Sequence, residues 1–206
     1  MDQINSKNLQ EAIREHEQWL DNGGDNSAGN QLRLGDVRFA DATLDHLSVQ
    51  ESLLSYCVFE NVVFEDVDFS FADVLYCTFI DCRFVHCSFF KCNLSYSRFE
   101  RCEMINSNGK RADFTGTIWK DVALADTSLE AAWLMNTQME QVRMETVSLS
   151  DAQISENVWR NPGPFTNMQV ERTQVMEVVI ETKEGTRKID DAAALAAYFK
   201  EEPLFE

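Results

Sequence analysis

The sequence predicts an all-β solenoid, and three observations lead to that prediction. Large apolar residues recur every five positions from Leu34 to Trp159, in 25 of 26 places. The position two residues before each of them is small or aliphatic and never charged, and the other three positions of each five carry nearly all of the charge. A period of five fits neither a helix, with 3.6 residues per turn, nor a strand that alternates every two residues. We therefore expect short extended segments, separated by turns, that wind into stacked coils around an apolar interior.

The cysteines follow the same period, and this decides how they are interpreted. All six occupy the small inward position, and four lie in "CTFIDCRFVHCSFFKC" from Cys77 to Cys92. A zinc site needs four ligands that converge on one point, whereas these side chains should point inward from successive sides of a coil. We expect them to fill the core as small, reduced hydrophobic residues rather than to form a metal site or disulfides. The six are Cys57, Cys77, Cys82, Cys87, Cys92 and Cys102.

Two stretches carry a family resemblance. "CNLSY" at 92–96 and "ADFTG" at 112–116 match a motif of a small residue, a polar residue, Leu or Phe, and two polar residues. Over about residues 32–160 the chain resembles the pentapeptide-repeat family, and in its acidity and its Phe- and Cys-rich repeats it is similar to the Qnr-type, gyrase-directed members. The resemblance implies a right-handed, four-sided parallel β-helix with about four repeats per coil. It also implies a rod that binds DNA gyrase, since some of these members imitate duplex DNA.

The segments outside the repeats are predicted to cap the rod. Residues 1–31 should form a capping helix, over 6–20, and a loop, because apolar residues of 6–20 lie on one side of a helix. Residues 161–206 should form a C-terminal cap that begins where "NPGPF" at 161–165 breaks the register by one residue. Whether 161–180 makes a further coil is left open. A hairpin is expected over 175–189 and a helix over 190–200, beginning at Asp190 or Asp191.

Composition limits the function classes. The 206 residues suit one domain with appendages, and the net charge of -17 disfavours direct binding to nucleic acid. The chain has no apolar run long enough to span a membrane and no signal-peptide pattern at its start, so we expect a cytoplasmic protein that does not bind membranes. It has no nucleophile motif and no phosphate-binding loop, so we expect neither an enzyme nor a cofactor.

Two local features leave alternatives open. His46, Asp66 and His86 share one corner column, one coil apart. A metal ion could bridge them, but no fourth ligand is evident, and a solvated ladder with no metal is the simpler interpretation. Gly109 is the one gap in the apolar column. It indicates a local bend or a neighbouring side chain that fills the space, which we favour, or else a flexible joint.

Two function hypotheses follow. In the first, the protein imitates DNA and acts on gyrase or a topoisomerase, as an inhibitor or in resistance. The repeats hold 20 acidic and 9 basic residues over 34–159. Its binding residues would be the outward acids Glu60, Glu65, Asp66, Asp68, Asp73 and Asp81. The register has no interrupting loop, unlike that of some gyrase-protecting members, and this weakens quinolone protection more than gyrase binding.

In the second hypothesis, the protein is an immunity factor against a toxin, or a scaffold, that binds its partner through an apolar belt at the middle of the rod. The belt comprises Phe71, Leu75, Tyr76, Ile80, Val85, Phe90 and Tyr96. Tyr56 shares one stacked corner with Tyr76 and Tyr96. Under either hypothesis the chain is a monomer or a dimer through its C-terminal tail.

Overall fold

The computed structural model describes residues 2–201 and consists of a parallel β-helix of about seven turns with a helix at each end. Residues twenty positions apart lie side by side on successive coils, as Phe79 and Phe99 do. Every fifth residue from Asp36 to Asn161 has a positive φ, so each coil turns four corners and has four faces. We number the faces in chain order by their inward residues: Leu34 lies on the first face, Phe39 on the second, Leu44 on the third and Val49 on the fourth.

Three of the faces carry named strands, and four strands continue around a corner from one face to the next. The strands of the first face are Arg33–Gly35, Leu53–Ser55, Asp73–Leu75, Trp133–Met135, Gln153–Arg160 and Gln174–Thr182. Those of the second face are Val37–Asp45, Val58–Glu65, Thr78–Ile80, Arg98–Glu100, Ile118–Lys120, Gln138–Glu140, Gln153–Arg160 and Gln174–Thr182. Those of the third face are Val37–Asp45, Val58–Glu65, Arg83–Val85, Glu103–Ile105, Ala123–Ala125, Arg143–Glu145 and Phe165–Thr166. The fourth face is connected by single parallel bridges, such as Ser88 with Asn108.

The two inward columns predicted from the sequence form the core. Every large apolar residue of the five-residue period is buried except Leu34, which is half-buried. The phenylalanines stack along the rod axis and meet edge to face across it: Phe64 and Phe84 are stacked at 4.9 Å, and Phe64 meets Phe69 at 5.5 Å. Such contacts stabilise beyond the burial of area alone. All six cysteines are free and buried, which confirms their assignment to the small inward column.

Gly109 keeps the register and is also buried. A Cβ atom at this position would lie 2.8 Å from Leu129 Cδ2, because the leucine side chain occupies the space that a larger residue would fill. Its N–H donates to the carbonyl of Ser128 in the next coil, so the ladder continues through it. The neighbouring side chain therefore fills the gap, in agreement with the interpretation that we favoured.

The N-terminal helix, α1 (Ser6–Asp21), closes the first coil. Leu9 and Ile13 are 1% exposed and contact the apolar end of the rod. His16 is completely buried between helix and coil: its Nδ1 accepts from the Leu32 N–H at 3.0 Å, and its Nε2 donates to the Gln50 carbonyl at 2.7 Å. A short strand, Asp2–Gln3, pairs in parallel with Val37 and Arg38. The predicted cap is therefore present, with a buried histidine and an added strand that the sequence did not indicate.

The C-terminal segment adds a coil before it closes the rod. Ile154 pairs with Val175, a spacing of 21 residues instead of 20, so the extra residue in 161–165 is absorbed and a further coil forms. The strand Gln174–Thr182 then turns back antiparallel into Gly185–Ile189, and α2 (Ala192–Tyr198) follows with Asp191 as its N-cap.

Phe199, next to α2, stacks on Trp159 at 6.1 Å between ring centres. The aromatic side chains at this end thus cover the last coils. Residues 202–206 of the predicted cap lie outside the described residues. Within 2–201, no helix is long and apolar enough to cross a membrane.

Candidate binding faces of the rod

The corner residue of each repeat contributes one of the side chains that form the surface of the rod. Its φ of about +50° to +60° turns the chain and places the side chain outward at the corner. The residues on either side of each inward apolar residue also point outward, so three positions in five form the surface. Because the coils stack in register, each outward position becomes a column along the rod, with a spacing of about 4.8 Å.

The structure does not gather the six predicted acidic residues into one patch. Glu60 lies on the second face and makes an ion pair with Arg38. Asp81 lies at the corner between the second and third faces, where Arg101 binds both of its oxygens at 2.7 and 2.9 Å. The hydrogen bonds from Arg101 hold the pKa of the Asp81 carboxyl below its usual value.

Two of the remaining four acids lie on the fourth and first faces. Asp68 accepts from the Gln50 side chain, and Asp73 accepts from that of Asn93. Glu65 and Asp66 lie on the third face and at its corner, and no arginine or lysine pairs with either of them among the described residues. These two carboxylates are therefore the most available of the six.

The third face and its two corners together form the most acidic surface of the repeats, which we call the acidic face. Between residues 34 and 159 it holds nine acidic and three basic residues. Two of the three arginines are used in ion pairs with acids of the same face, Arg83 with Glu103 and Arg101 with Asp81. The nine acids are Asp41, Asp45, Glu65, Asp66, Asp81, Glu103, Asp121, Asp126 and Glu145.

The predicted apolar belt encircles the rod instead of facing one way. Ile80 and Val85 lie half-buried on the second and third faces. Phe71 and Phe90 meet edge to face at 5.5 Å at the corner between the fourth and first faces, with the Lys91 ammonium over both rings. A single flat partner cannot contact all four sides of a rod, so the belt divides into separate patches.

The exposed large hydrophobic side chains lie on one face. Tyr56, Tyr76 and Tyr96 form a ladder at the corner between the first and second faces, with parallel rings 5.0 and 5.1 Å apart. All six large hydrophobic residues that are clearly exposed in the described chain lie on the first face or at its two corners, which we call the apolar face. They are Tyr56, Phe71, Tyr76, Tyr96, Trp133 and Met176.

Two of these six were missed by sequence reasoning. Trp133 is 47% exposed and Met176 is 55% exposed. Trp133 directly precedes Leu134, an inward residue of the first face. Following the outward positions at twenty-residue spacing would therefore have placed Trp133 on that face. Met176 could be placed only after the one-residue shift at 161–165 was known to lead into a further coil.

For two of the cysteines, Cys87 and Cys92, burial also disfavours the thiolate form. Burial raises the pKa of the Cys87 thiol to about 12, and it raises the pKa of Cys92 well above its usual value. Since the thiolate is the reactive form, these side chains act as core residues.

Comparison with known proteins finds a family match in part of the repeats. The family model described as pentapeptide repeats, in eight copies, matches residues 87–118. No curated protein sequence matches the chain significantly.

Solved structures of three repeat proteins are similar to the chain at low identity. QnrB1, a plasmid-mediated fluoroquinolone resistance protein, is 13% identical, with 80% of this chain and 98% of QnrB1 covered and a TM-score of 0.30. HetL, from the cyanobacterium Nostoc sp. strain PCC 7120, is involved in heterocyst differentiation regulation; it is 10% identical, with 86% and 97% covered and a TM-score of 0.28. Rfr23, from the cyanobacterium Cyanothece 51142, is 12% identical, with 69% and 87% covered and a TM-score of 0.23.

The chain therefore contains pentapeptide repeats that the family model matches over residues 87–118, and its coils keep the same five-residue register from Leu34 to Trp159.

Proposed function

We propose that the chain is a non-enzymatic, protein-binding β-helix that acts in the cytoplasm on DNA gyrase or a related topoisomerase, with its acidic face in the place of duplex DNA. The observation that carries this proposal is the acidic excess of the acidic face, which is the largest of the four, with nine acidic and three basic residues. The choice of gyrase rests on the resemblance of the repeats to the Qnr-type members of the family. The protein itself would bind neither nucleic acid nor membranes.

The charge density of the acidic face limits how strongly the rod can compete with DNA for a binding surface. Along the roughly 25 Å from Asp41 to Glu145, the face carries about one net negative charge per 4 Å, against about one per 1.7 Å in duplex DNA. The rod is therefore a weaker polyanion than DNA. It would compete best for a surface whose lysines and arginines are already arranged for a straight, rigid ligand.

The acidic residues differ in whether a basic side chain already neutralises them, and this difference ranks their expected contributions to binding. Glu65 and Asp66 are exposed and have no arginine or lysine partner among the described residues. Asp81 is held by Arg101, and Glu60 by Arg38, so part of their charge is already neutralised. We expect Glu65, Asp121 and Asp126 to contribute more to binding than either paired acid.

The test is a DNA supercoiling assay with purified gyrase, with and without a quinolone, over a series of salt concentrations. The acidic-face variant carries Glu65→Gln, Asp121→Asn and Asp126→Asn. The control carries Asp36→Asn, Asp113→Asn and Glu156→Gln on the apolar face, which removes the same net charge.

We expect inhibition or drug protection by the natural chain, with an effect that weakens as salt rises. The acidic-face variant should need about tenfold more protein for the same effect, because charge-dependent affinity falls steeply as ion pairs with the partner are removed. The control should act like the natural chain. Inactivity of the natural chain at micromolar concentrations would contradict the proposal, and so would equal losses in the two variants.

The alternative function is that of an immunity factor or scaffold, and the apolar face favours it. The occupant would be a folded protein, such as a toxin, that buries its own apolar surface against the tyrosine ladder and Trp133. Tyrosine and tryptophan at such positions often dominate binding energy. Ile80 and Val85 lie on other sides of the rod and would contribute little.

This alternative predicts a partner that is bound by the natural chain and by the charge variants but released by Tyr76→Ser. Phe90→Ala would serve as a second variant at the far corner of the face. The partner must also bind the rod when both are purified. A partner that binds Tyr76→Ser as well as it binds the natural chain would rule out this face.

The oligomeric state that we propose is a monomer or a dimer through the C-terminal tail. The strand Gly185–Ile189 ends its sheet, and most of its residues are exposed. An edge strand of this kind can pair with a second copy. Light scattering over a dilution series would show a mass that doubles with concentration for the dimer, and a constant mass of one chain for the monomer.

A further inference from the structure

The N-terminal cap contains the one buried histidine of the chain, and neither candidate binding face uses it. His16 lies on α1 and is completely shielded from solvent, whereas His46 and His86 are exposed. Its ring lies against Trp19 of the same helix, with the two rings nearly parallel and 5.5 Å apart. Both of its nitrogens reach across to the rod, so the ring is a polar connection between the helix and the first coil.

The two hydrogen bonds of His16 require a neutral ring with its proton on Nε2. Nδ1 accepts from the N–H of Leu32, where the loop after α1 enters the first coil, and Nε2 donates to the Gln50 carbonyl. Protonation would add a second N–H at Nδ1 that points at the N–H of Leu32. Leu32 is only 4% exposed, so its amide would be left buried without an acceptor, which destabilises the closed cap.

The charged groups that face the ring do not offset this cost. Glu17 on α1 and Glu51 at a corner of the first coil both favour the charged ring, and the loop faces it with the Leu32 amide. Glu51 is exposed to the solvent that screens it, and Glu17 accepts from the N–H of Ser48. Burial outweighs both carboxylates and lowers the pKa of His16 from its usual value. The ring is therefore neutral while the cap is closed.

Protonation of His16 should act on the cap and not on the coils. Leu9 and Ile13 hold α1 on the end of the rod by apolar contacts, which do not change with pH. The coils hold one another through a ladder of hydrogen bonds, such as that from the Leu53 N–H to the Leu32 carbonyl. Parts of a protein that are stabilised in such different ways can open separately.

We propose that His16 is an acid-sensitive switch whose protonation releases α1 from the first coil while the coils stay folded. Release would uncover the apolar end of the rod, where Leu44 and Leu54 lie beside the helix. It would also leave the strand Arg33–Gly35, which ends its sheet, open at that end of the rod. Apolar surfaces and strand edges of this kind are where proteins associate. The cap thus controls when this end of the rod is accessible.

The pH range of the switch follows from the two states of the ring. In the open cap, His16 is in water and titrates near its ordinary pKa of about 6.5, and in the closed cap its pKa is lower because of burial. The contribution to the closed form is therefore complete above about 6.5 and is lost as the pH falls, by up to about tenfold per pH unit, until the closed form also takes up the proton. Between pH 6.5 and pH 5 the limit is a loss of about thirtyfold.

The test is hydrogen exchange of the full chain, measured by mass spectrometry at pH values between about 7.5 and 5, a range that spans histidine titration. Each rate is divided by that of an unstructured peptide at the same pH, so that only the protection by structure remains. The variants are His16→Asn, whose side chain can accept and donate but does not titrate, and Glu51→Gln, which removes a group that favours the charged ring. The control is His86→Gln, which removes an exposed ring two coils beyond the first.

In the natural chain we expect the protection of α1 to fall on acidification by at least about threefold and by at most about thirtyfold. The protection of Thr78–Ile80, in the middle of the rod, should change by less than about twofold, since local opening leaves the rest of the structure protected. Glu51→Gln should enlarge the fall in α1, and His86→Gln should leave it unchanged. In His16→Asn the protection of α1 should not depend on pH.

Three results would overturn the switch: protection of α1 that does not fall on acidification, a fall in His16→Asn as large as that in the natural chain, or an equal loss in α1 and in Thr78–Ile80, which would mean that the whole rod opens. If His16→Asn does not fold, Glu51→Gln decides the question. A fall that is unchanged or smaller in Glu51→Gln would show that the charge on His16 does not open the cap.

Discussion

The apolar face and the acidic face are built from the same coils and differ in what they present. Inward, the first face has residues such as Val74 and Leu94, and the third has Phe64 and Phe84, all of them fully or almost fully buried. Outward, the apolar face carries six acidic and two basic residues between 34 and 159 and exposes aromatic rings, whereas the acidic face carries nine acidic and three basic residues. This fold therefore separates stability from recognition, because two positions in five make the core and three are free to vary.

The largest expected effect comes from breaking the core that both faces share. Phe79→Asp would place a lone carboxylate at a position that is 1% exposed, at a cost of several kcal/mol, comparable to the whole stability of a domain. We expect loss of the β-type circular dichroism and of a cooperative melting transition.

The matched control for that substitution is Thr78→Asp, which introduces the same carboxylate one residue earlier, on the outside of the coil. It should stay folded with little change in melting temperature, as most surface substitutions do. A folded Phe79→Asp protein with an unchanged melting temperature would refute the inward and outward assignment on which both faces depend.

A smaller effect on stability would test how the tyrosine ladder of the apolar face is held in place. Gly116 has a φ of +68°, and a Cβ atom there would lie 2.6 Å from Tyr96 Cδ1. Gly116→Ala should displace the last ring of the tyrosine ladder and lower the stability by about 1–2 kcal/mol, from weaker stacking and from the left-handed backbone. Near-ultraviolet circular dichroism and chemical denaturation would measure both effects.

Asn136→Ala is the control for Gly116→Ala, because it lies at the same corner one coil further, with a φ of 57° and no tyrosine on it. It should leave the tyrosine signal unchanged. If Gly116→Ala also leaves that signal unchanged, the ladder does not depend on the glycine.

The pH dependence of stability should separate the capping helix from the acidic face. Burial lowers the pKa of His16, so the unfolded chain takes up that proton first, and stability is lost as the pH falls below about 6.5. The pKa of His46 is raised by Asp45, so its contribution is present below about 6.5 and is lost as the pH rises through the folded-state pKa.

These opposite signs can be measured from melting temperatures between about pH 8 and pH 5, a range that spans histidine titration. His16→Asn should reduce the loss of stability on acidification, and His46→Gln should increase it. Parallel curves for both variants and the natural chain would mean that neither histidine is linked to folding.

The smallest expected effects on stability have opposite signs on the two faces. Tyr76→Ser removes a ring that stacks on two neighbours, and we expect a loss of stability of about 1 kcal/mol. Glu65→Gln removes an exposed carboxylate from a crowded acidic surface, so its melting temperature should stay the same or rise slightly. A Glu65→Gln protein that melts clearly below the natural chain would show that the acid stabilises the fold.

The caps show where prediction from the sequence succeeded and where it stopped. Helix α1, the hairpin and α2 were each predicted within a few residues, because amphipathic periodicity and capping side chains such as that of Asp191 are local signals. The burial of His16 was not predicted, since its partners, Leu32 and Gln50, are 16 and 34 residues away. The further coil after 161–165 was left open because the insertion breaks the only periodic signal in that segment.

The register, the core and the assignment of the cysteines all follow from the sequence alone. A strict period of five admits one way of burying large and small residues together, and the burial of Phe84 and Cys82 follows from it. Which outward residues share a face was settled by the winding of the coils in three dimensions. A residue's neighbours on the surface are twenty positions away along the chain, and their pairing depends on the four corners of each coil. For this reason the predicted belt divided among the faces, and Trp133 and Met176 joined the tyrosines.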